Sequence, residues 1–419
     1  MASRESIVIG TPRALPENRG YSRILPLSLE TEPIWEKLSS WTMRANICET
    51  KAPGVFRAGC TAGYLGRVQL RDSLIPTLTR SPSRVATLWV ASTMLLRALV
   101  EGGDDMRAVT VSHFGEEPSL ADMPTPVASP GQVLIKLAAA SVNPMDAKLA
   151  SGEWRPAPVR FPMILGVDGA GTVEAVGDGT TRFAPGDKLF GQLFIPPIGA
   201  YGTYAEYVAI TADAPLASVP DGVDFVVAAS APTAGGTGLS IVELVEPLDE
   251  QVVLIIGAGG GVGTFATQFA LRAGATVIAE VHATAEARMR SYGVATTIVS
   301  SEASVKDSVR RNHPDGVDVL IDLAGDARMF ASTCTLVRPG GTAITTQYVA
   351  DLEALQAVGV RGVNFALRQS TDLLERVGRA LAERAIAEPP IRRITLEEVP
   401  DNFRGRPHSH ADGKTVIVL

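Results

Sequence analysis

From Met106 onward the chain runs through short apolar or alternating stretches bounded by glycine, proline and aspartate: MRAVTV, QVLIKLAAASV, GAGTVEAVG, GDKLFG and YAEYVAI. Many short strands at this spacing predict a β-rich domain, a barrel or a sandwich. The pattern then changes. The apolar run Val252–Ile256 leads through GAGGGVG, Gly257 to Gly263, into the helix-like segment Thr264–Arg272, and after Gly274-Ala275 comes a second apolar run, Thr276–Val281. That is the spacing of a strand–helix–strand unit in a parallel sheet. Val317–Leu323, Gly341–Thr345 and Val360–Leu367 supply three more apolar runs at helix-length intervals, and such continuous strands suit a parallel sheet covered on both faces. The C-terminal piece Thr395–Leu419 ends in the strand-like TVIVL.

The glycine run carries the clearest chemical signal. A chain that must swing tightly from strand to helix, bring backbone N–H groups to a pyrophosphate and pack that helix on the sheet needs glycine to do so. The helix N-terminus then offers unpaired N–H groups and a partial positive charge. Gly257, Gly260, Gly261, Val262 and Gly263 are therefore candidate cofactor-binding residues. The bland alternative is an ordinary loop in a doubly wound domain that binds no nucleotide.

Length and charge refine this picture. A chain of 419 residues exceeds what one core usually serves, so at least two domains are expected. The net charge of −7 gives no overall attraction to nucleic acid or to an anionic membrane. Cys48, Cys60 and Cys334 show no paired metal-ligand spacing, and a reducing, cytoplasmic setting is expected. Residues 1–105 hold 13 Lys and Arg against 10 Asp and Glu, whereas residues 106–419 hold 25 against 35. Trp35, Trp41 and Trp89 also fall before this break. Val85–Val100 is apolar and helical in pattern, yet it contains Arg97 and is shorter than the roughly 20 residues of a bilayer span. Met1–Leu25 lacks the apolar core of a signal peptide. Residues 1–105 are thus expected to be a poorly ordered extension, with a start of the folded protein at Met106 as a further reading.

The ordered motifs SVNPMDAKLASG (Ser141–Gly152), PMILGVDGAGTVEAVG (Pro162–Gly177), APGDKLFG (Ala184–Gly191), the glycine turn, VDVLIDLAG (Val317–Gly325), RPGG (Arg338–Gly341) and the terminal GKTVIVL resemble the medium-chain dehydrogenase/reductase superfamily in its zinc-independent, zeta-crystallin-like quinone oxidoreductase branch. The resemblance covers about residues 106–419. It implies an α/β protein with a chaperonin-10-like β-barrel catalytic domain, residues 106–230 and 370–419, and a Rossmann domain with a doubly wound parallel sheet, residues 231–369. Residues 1–105 have no counterpart.

Zinc-dependent members of that superfamily place a cysteine where this chain has Asn143 and histidine-glutamate where it has Val167-Asp168. A catalytic zinc typically needs three N, S or O protein ligands, so no metal is expected. The remaining chemistry is hydride transfer from a nicotinamide to a quinone or to the β-carbon of an α,β-unsaturated carbonyl, in which charge develops on a carbonyl oxygen and needs a donor. Asn143 matches the family's cleft-facing segment and could donate its amide N–H, while an Asn before Pro is equally a turn-former. Tyr201 and Tyr204 are alternative phenol donors, with an edge-of-core aromatic as the plainer role for Tyr204. Lys148 stands where some quinone-reducing relatives carry a tyrosine. Thr237 stands where relatives place a threonine close to the nicotinamide, with a helix N-cap as its bland role.

Cofactor choice depends on the end of the second strand of the nucleotide-binding unit, where an acid binds the ribose hydroxyls of NAD and small or basic residues accept a 2′-phosphate. That end falls at Val281-His282, and strand alternation turns Glu280 away from His282. His282 or Arg288 could meet a 2′-phosphate, so NADP(H) is expected over NAD(H). A small-molecule substrate is expected, no nucleic-acid or membrane partner, and the family is compatible with a homodimer. A nucleotide-binding sensor with little or no catalysis is the alternative on the same fold.

Overall fold

The computed structural model describes residues 105–300, 304–404 and 412–419, together with the strands Asn46–Glu49 and Phe56–Gly59. Those two strands pair antiparallel. The rest of the N-terminal segment, including the apolar stretch Val85–Val100, lies outside the described residues, so the expected disorder of the extension is not addressed there. Glu101–Leu419 forms one compact unit.

All five alternating runs that follow Met106 are strands: Asp105–Val111, Gln132–Ser141, Asp168–Val176, Lys188–Gln192 and Tyr207–Thr211. The first shows why, since Met106 and Ala108 are buried while Asp105 and Arg107 between them face solvent. Four further strands, Ser119–Pro124, Met163–Ile164, Leu216–Ser218 and Ile391–Thr395, carried no such signal. They are either two or three residues long or, like Ser119–Pro124, buried only in part along their length. Leu216–Ser218, Lys188–Gln192, Asp168–Val176, Gln132–Ser141, the C-terminal strand Lys414–Val418 and Ile391–Thr395 follow one another in a seven-stranded sheet, in which Tyr207–Thr211 also pairs with Gln132–Ser141. A three-stranded sheet of Ser119–Pro124, Asp105–Val111 and Met163–Ile164 joins it through the isolated bridge Ala108–Ala205. Val109, Leu149, Leu165, Tyr204 and Ile417 fill one part of the core, and Val133, Ile135, Leu189 and Ile210 another.

The second half is a six-stranded sheet in the order Thr296–Val299, Thr276–Val281, Val252–Ile256, Val317–Asp322, Val337–Thr345, Arg361–Asn364. Every pairing is parallel. In chain order this is 3-2-1-4-5-6, the doubly wound arrangement in which ligands bind outside the carboxyl ends of the strands, where the order reverses. Val317–Asp322 is buried throughout, Asp318 and Asp322 included, which explains its largely apolar pattern. Thr296–Val299 has no such pattern, because Thr296 and Thr297 are only half-buried and only Ile298 and Val299 enter the core. The helix after the glycine turn runs Gly261–Arg272 and so begins three residues before the helix-like segment in the sequence. A first helical turn has no internal acceptors for its N–H groups, so glycine is tolerated there and its amides stay available. One core cluster crosses between the halves, joining Ala139, Ala170, Phe190 and Val416 to Val253, Ile255, Phe265 and Val281.

No helix among the described residues is long and apolar enough to cross a membrane. In the compact unit Glu101–Leu419 the buried core begins at Met106, and Asp105 is exposed. A chain beginning at Met106 is therefore expected to melt cooperatively at the temperature of the full chain and to bind dinucleotide equally well. Aggregation of the shortened chain beside a soluble full chain would contradict this.

Candidate active site

Sheet register assembles the centre of the site. Val416 pairs with Ser141, Ser141 with Asp168, and Asp168 with Gln192, so adjacent strands bring these positions into one row. Asn143 follows two residues after Ser141 and caps the helix Pro144–Ser151 in an extended conformation, φ −126° and ψ 150°. Proline at the first helical position suits this start, because its missing N–H costs no helical bond.

The row is wired by a buried cation. The Lys414 ammonium donates to Asn143 Oδ1 at 2.7 Å and to the Val142 carbonyl at 3.0 Å. Asn143 Nδ2 donates onward to Asp168 Oδ2 at 3.0 Å and to the Ser141 carbonyl at 3.3 Å. Asp168 further accepts from Thr233 Oγ1 at 2.7 Å and from the Thr233 amide at 3.0 Å. Gln192 Nε2 donates to the same Thr233 hydroxyl at 2.7 Å. Burial lowers the Lys414 pKa, against the pull of Asp168 and Asp146. Burial likewise raises that of Asp168, opposed by Lys414, Thr233 and Asn143. Asn143 thus links the ammonium to the carboxylate, and both hydrogens of its amide are committed to protein acceptors. Its geometry is that of the turn-former rather than of a free donor.

Beneath this network lies a second buried acid. Asp146 Oδ2 accepts from the Tyr204 hydroxyl at 2.7 Å and from the Asn143 backbone N–H at 2.8 Å. Burial pushes its carboxyl up to about 7, although the Tyr204 hydroxyl and the Asn143 amide pull the other way. Its Oδ1 has no hydrogen-bond partner among the described residues, nor do Ser141 Oγ and Thr203 Oγ1. Tyr204 is wholly buried and lies just ahead of the strand Tyr207–Thr211. It is a central core residue and not an edge aromatic, because its ring fills the barrel and its hydroxyl has a dedicated acceptor. Tyr201 is only half-buried and makes no hydrogen bond among the described residues. It lines a narrow apolar recess with Leu149, Val167, Leu193 and Phe194.

The glycine turn faces the end of the network. A Cβ at Gly263 would lie 2.3 Å from the Gly257 carbonyl, so strand and helix are in contact there through backbone alone. Among the described residues a Cβ at Gly260 would meet only the Gly257 carbonyl, at an ordinary contact distance of 3.5 Å. This fits a pyrophosphate placed over the first-turn amides of Gly261, Val262 and Gly263. The Glu280 carboxylate accepts from the Gly257 N–H at 2.8 Å and so faces the turn. His282 caps the short 3₁₀ turn Ala283–Ala285 with its ring beside Thr284. Arg288 reaches back from the next helix to Thr264 Oγ1 at 2.8 Å and the Gly259 carbonyl at 3.0 Å. The glycine residues and Arg288 are therefore brought together, whereas His282 is occupied locally. Thr237 is buried inside the helix Pro232–Val245, whose N-cap is Ala231, so it is not a cap. Lys148 lies on an exposed helix face beside Glu153, 3.4 Å away. Lys414, Thr233 and Gln192 carried no signal in the sequence pattern. The lysine sits in a terminal strand where an apolar residue is the usual expectation, and the other two become informative only through sheet register.

Among the described residues no three His, Cys, Asp or Glu side chains gather as a metal-binding group. Residues 129–221 match the family model of the alcohol dehydrogenase GroES-like domain, and residues 261–371 that of the zinc-binding dehydrogenase. The chain is 27% identical to the NADPH-dependent alkenal/one oxidoreductase of Arabidopsis thaliana, over 75% of this chain and 79% of that protein. It is 30% identical to the quinone oxidoreductase of Homo sapiens, over 57% of this chain and 72% of that protein. A solved quinone oxidoreductase from Coxiella burnetii superposes with a TM-score of 0.68 at 28% identity, covering 75% of this chain and 99% of that one.

The raised Asp146 carboxyl has a consequence for stability. The folded state holds this proton up to about pH 7, while the unfolded state releases it in the usual carboxylate range. Its contribution is complete below that range and is lost as pH rises through about 7. Asp146→Asn keeps an acceptor for Tyr204 and removes the titration. The unfolding free energy of the wild type, measured against this variant, is expected to decline between pH 4 and 8 by on the order of a few kcal/mol. Parallel pH profiles in urea unfolding would mean that Asp146 is ionised throughout.

Proposed function

Because the chain belongs to the medium-chain dehydrogenase/reductase superfamily, we propose that it is a zinc-independent, NADP(H)-dependent oxidoreductase that delivers hydride to a quinone or to the β-carbon of an α,β-unsaturated carbonyl. The observation that carries this reading is the glycine turn at the switch point of the parallel sheet, where Gly260 is uncrowded among the described residues and Arg288 donates to the adjacent Gly259 carbonyl. The printed activities of the relatives, alkenal/one and quinone reduction, support the acceptor class.

When bound, the nicotinamide supplies the hydride, and the residues of this chain bind and orient. The first-turn amides at Gly261 to Gly263 hold the pyrophosphate. Arg288 offers a guanidinium fork to a 2′-phosphate, a geometry that suits phosphate well. Thr237 supports the nicotinamide side, by family resemblance. Tyr201 donates its hydroxyl to the acceptor's carbonyl oxygen as charge develops there. Leu149, Leu193 and Phe194 keep water from the recess. Asn143 and Asp168 hold the cleft wall in place and leave no ligand set for zinc. A second reading, NAD(H), is favoured by one observation: the Glu280 carboxylate at the turn lies where an acid could take the ribose hydroxyls.

Gly260→Asp places a side chain and a charge at this uncrowded position, and dinucleotide affinity is expected to fall at least a hundredfold, about 3 kcal/mol, while the melting temperature changes little. Unchanged binding by the folded variant would make the turn purely structural.

The activity itself is tested by oxidation of NADPH and of NADH with a panel of benzoquinones, phenanthrenequinone and alkenals, before and after dialysis against a strong chelator. Faster turnover with NADPH, unaffected by chelation, is the expected outcome. Preference for NADH would assign Glu280 to the ribose, loss of activity with the metal would end the zinc-independent reading, and tight binding with no turnover would indicate a nucleotide sensor.

A further inference from the structure

The Arg288 guanidinium already has an anionic partner. Besides Thr264 Oγ1 and the Gly259 carbonyl, its Nη2 is ion-paired with the Asp412 carboxylate. The arginine side chain is only 16% exposed, while the Asp412 side chain is 38% exposed, so the pair lies at the edge of the site with its cation partly desolvated. The carboxylate is held in place by backbone. The Gly413 N–H donates to the Gly259 carbonyl at 3.1 Å, and Gly413 forms a parallel bridge with Gly260. The C-terminal strand follows at once, with Lys414 anchored 2.7 Å from Asn143. Asp412 therefore projects from a segment pinned on the glycine turn.

Position makes this pairing consequential. Arg288 lies on the helix that follows the strand Thr276–Val281, where a crevice of this topology receives the adenosine ribose. A 2′-phosphate there and the Asp412 carboxylate are both anions that seek the same guanidinium edge. Held together on one fork in a partly desolvated site, they repel each other. We infer that Asp412 is a specificity-determining residue, which competes with the 2′-phosphate for Arg288 and so limits how strongly the site prefers phosphorylated over unphosphorylated ribose. This rests on the proposal that Arg288 is the phosphate partner. The arginine provides the preference and the aspartate holds it down, so the chain can discriminate between the two dinucleotides less sharply than its arginine alone would allow.

The experiment measures the affinities of 2′,5′-ADP and of ADP for the full chain by calorimetry at low salt, and takes their ratio as the contribution of the phosphate. The wild type is expected to favour 2′,5′-ADP modestly. Arg288→Ala removes that preference. Asp412→Asn raises it about tenfold with ADP affinity unchanged, Asp412→Ser does the same, and Asp412→Glu, which keeps the charge, stays near the wild type. A ratio unchanged or reduced in both neutral variants, with the preference present in the wild type and lost in Arg288→Ala, overturns the inference, because the carboxylate would then be inert or would position the arginine. A ratio near one in every form, neutral Asp412 variants included, overturns the proposed role of Arg288 itself. Raised ADP affinity in step with 2′,5′-ADP would also overturn the inference, since the carboxylate would then oppose the diphosphate and not the ribose phosphate. Thermal unfolding of each variant identifies any that does not fold, and the two neutral substitutions serve as replacements for each other.

Discussion

A buried ammonium organises this protein. Removing a lysine charge from water costs several kcal/mol unless the group is paired and hydrogen-bonded, and Lys414 enters the interior on the last strand of the chain. Its charge is answered by Asp168, reached through the Asn143 amide, and Asp168 is in turn held by Thr233 at the start of the helix Pro232–Val245. That helix packs against the helix Gly261–Arg272 of the nucleotide-binding half, so a single polar chain joins the terminal strand, the β-rich domain and the element that leads into the parallel sheet. The C-terminal return is thereby fixed in register as well as in place. A one-residue slip would carry Lys414 to the opposite face of the sheet and leave both charges unpaired.

The same residues bear on metal chemistry. Where zinc-dependent members of the superfamily place a cysteine and a histidine-glutamate pair, this chain has Asn143 and Val167-Asp168, and the Asn143 amide donates to the Asp168 carboxylate. Asp168 uses both oxygens on Thr233 and Asn143, while Asn143 uses both amide hydrogens and its oxygen. A catalytic zinc typically needs three N, S or O protein ligands, and at these positions Val167 offers no donor atom while Asn143 and Asp168 are already engaged with Lys414, Thr233 and each other. This missing donor atom is the physical support for the proposed metal independence, and under the same proposal the developing charge is met by Tyr201, which is half-buried and takes no part in this network.

The sequence made the two-part architecture legible because its strongest strands have unambiguous environments. Val252–Ile256 and most of Val317–Asp322 are apolar and largely buried, and Asp105–Val111 begins with alternation because Asp105 and Arg107 meet solvent. The glycine turn was legible for a similar reason, since its constraints are local in the chain. Weaker elements, such as Thr296–Val299 and Met163–Ile164, acquire their form from neighbours and leave little pattern. The polar centre was legible only in part. Asn143 and Asp168 stood out by comparison with zinc-binding relatives, but Lys414 and Gln192 reach them from 271 residues beyond and by cross-sheet pairing, respectively. No spacing rule along the chain contains such contacts, which is why Asn143 could be read equally as a donor or as a turn until its partners were known.

The glycine turn shows how closely the two halves constrain one another. At Gly263 a side chain would collide with the turn's own backbone, so this glycine serves the packing of helix on strand. At Gly261 the obstacle comes from the other domain, because a Cβ would lie 2.7 Å from Cδ of Lys414. Of the turn's glycines, only Gly260 would carry a Cβ with no contact nearer than 3.5 Å among the described residues. The turn is thus pressed from behind by its own strand and from the side by the lysine that anchors the terminal strand, and a ligand can approach it on the one remaining side. Any change that alters how Lys414 is seated, at Asn143 or Asp168 as much as at the lysine itself, must shift the surface proposed to receive a pyrophosphate. Cofactor affinity and the integrity of the β-rich domain are consequently expressions of one packing arrangement.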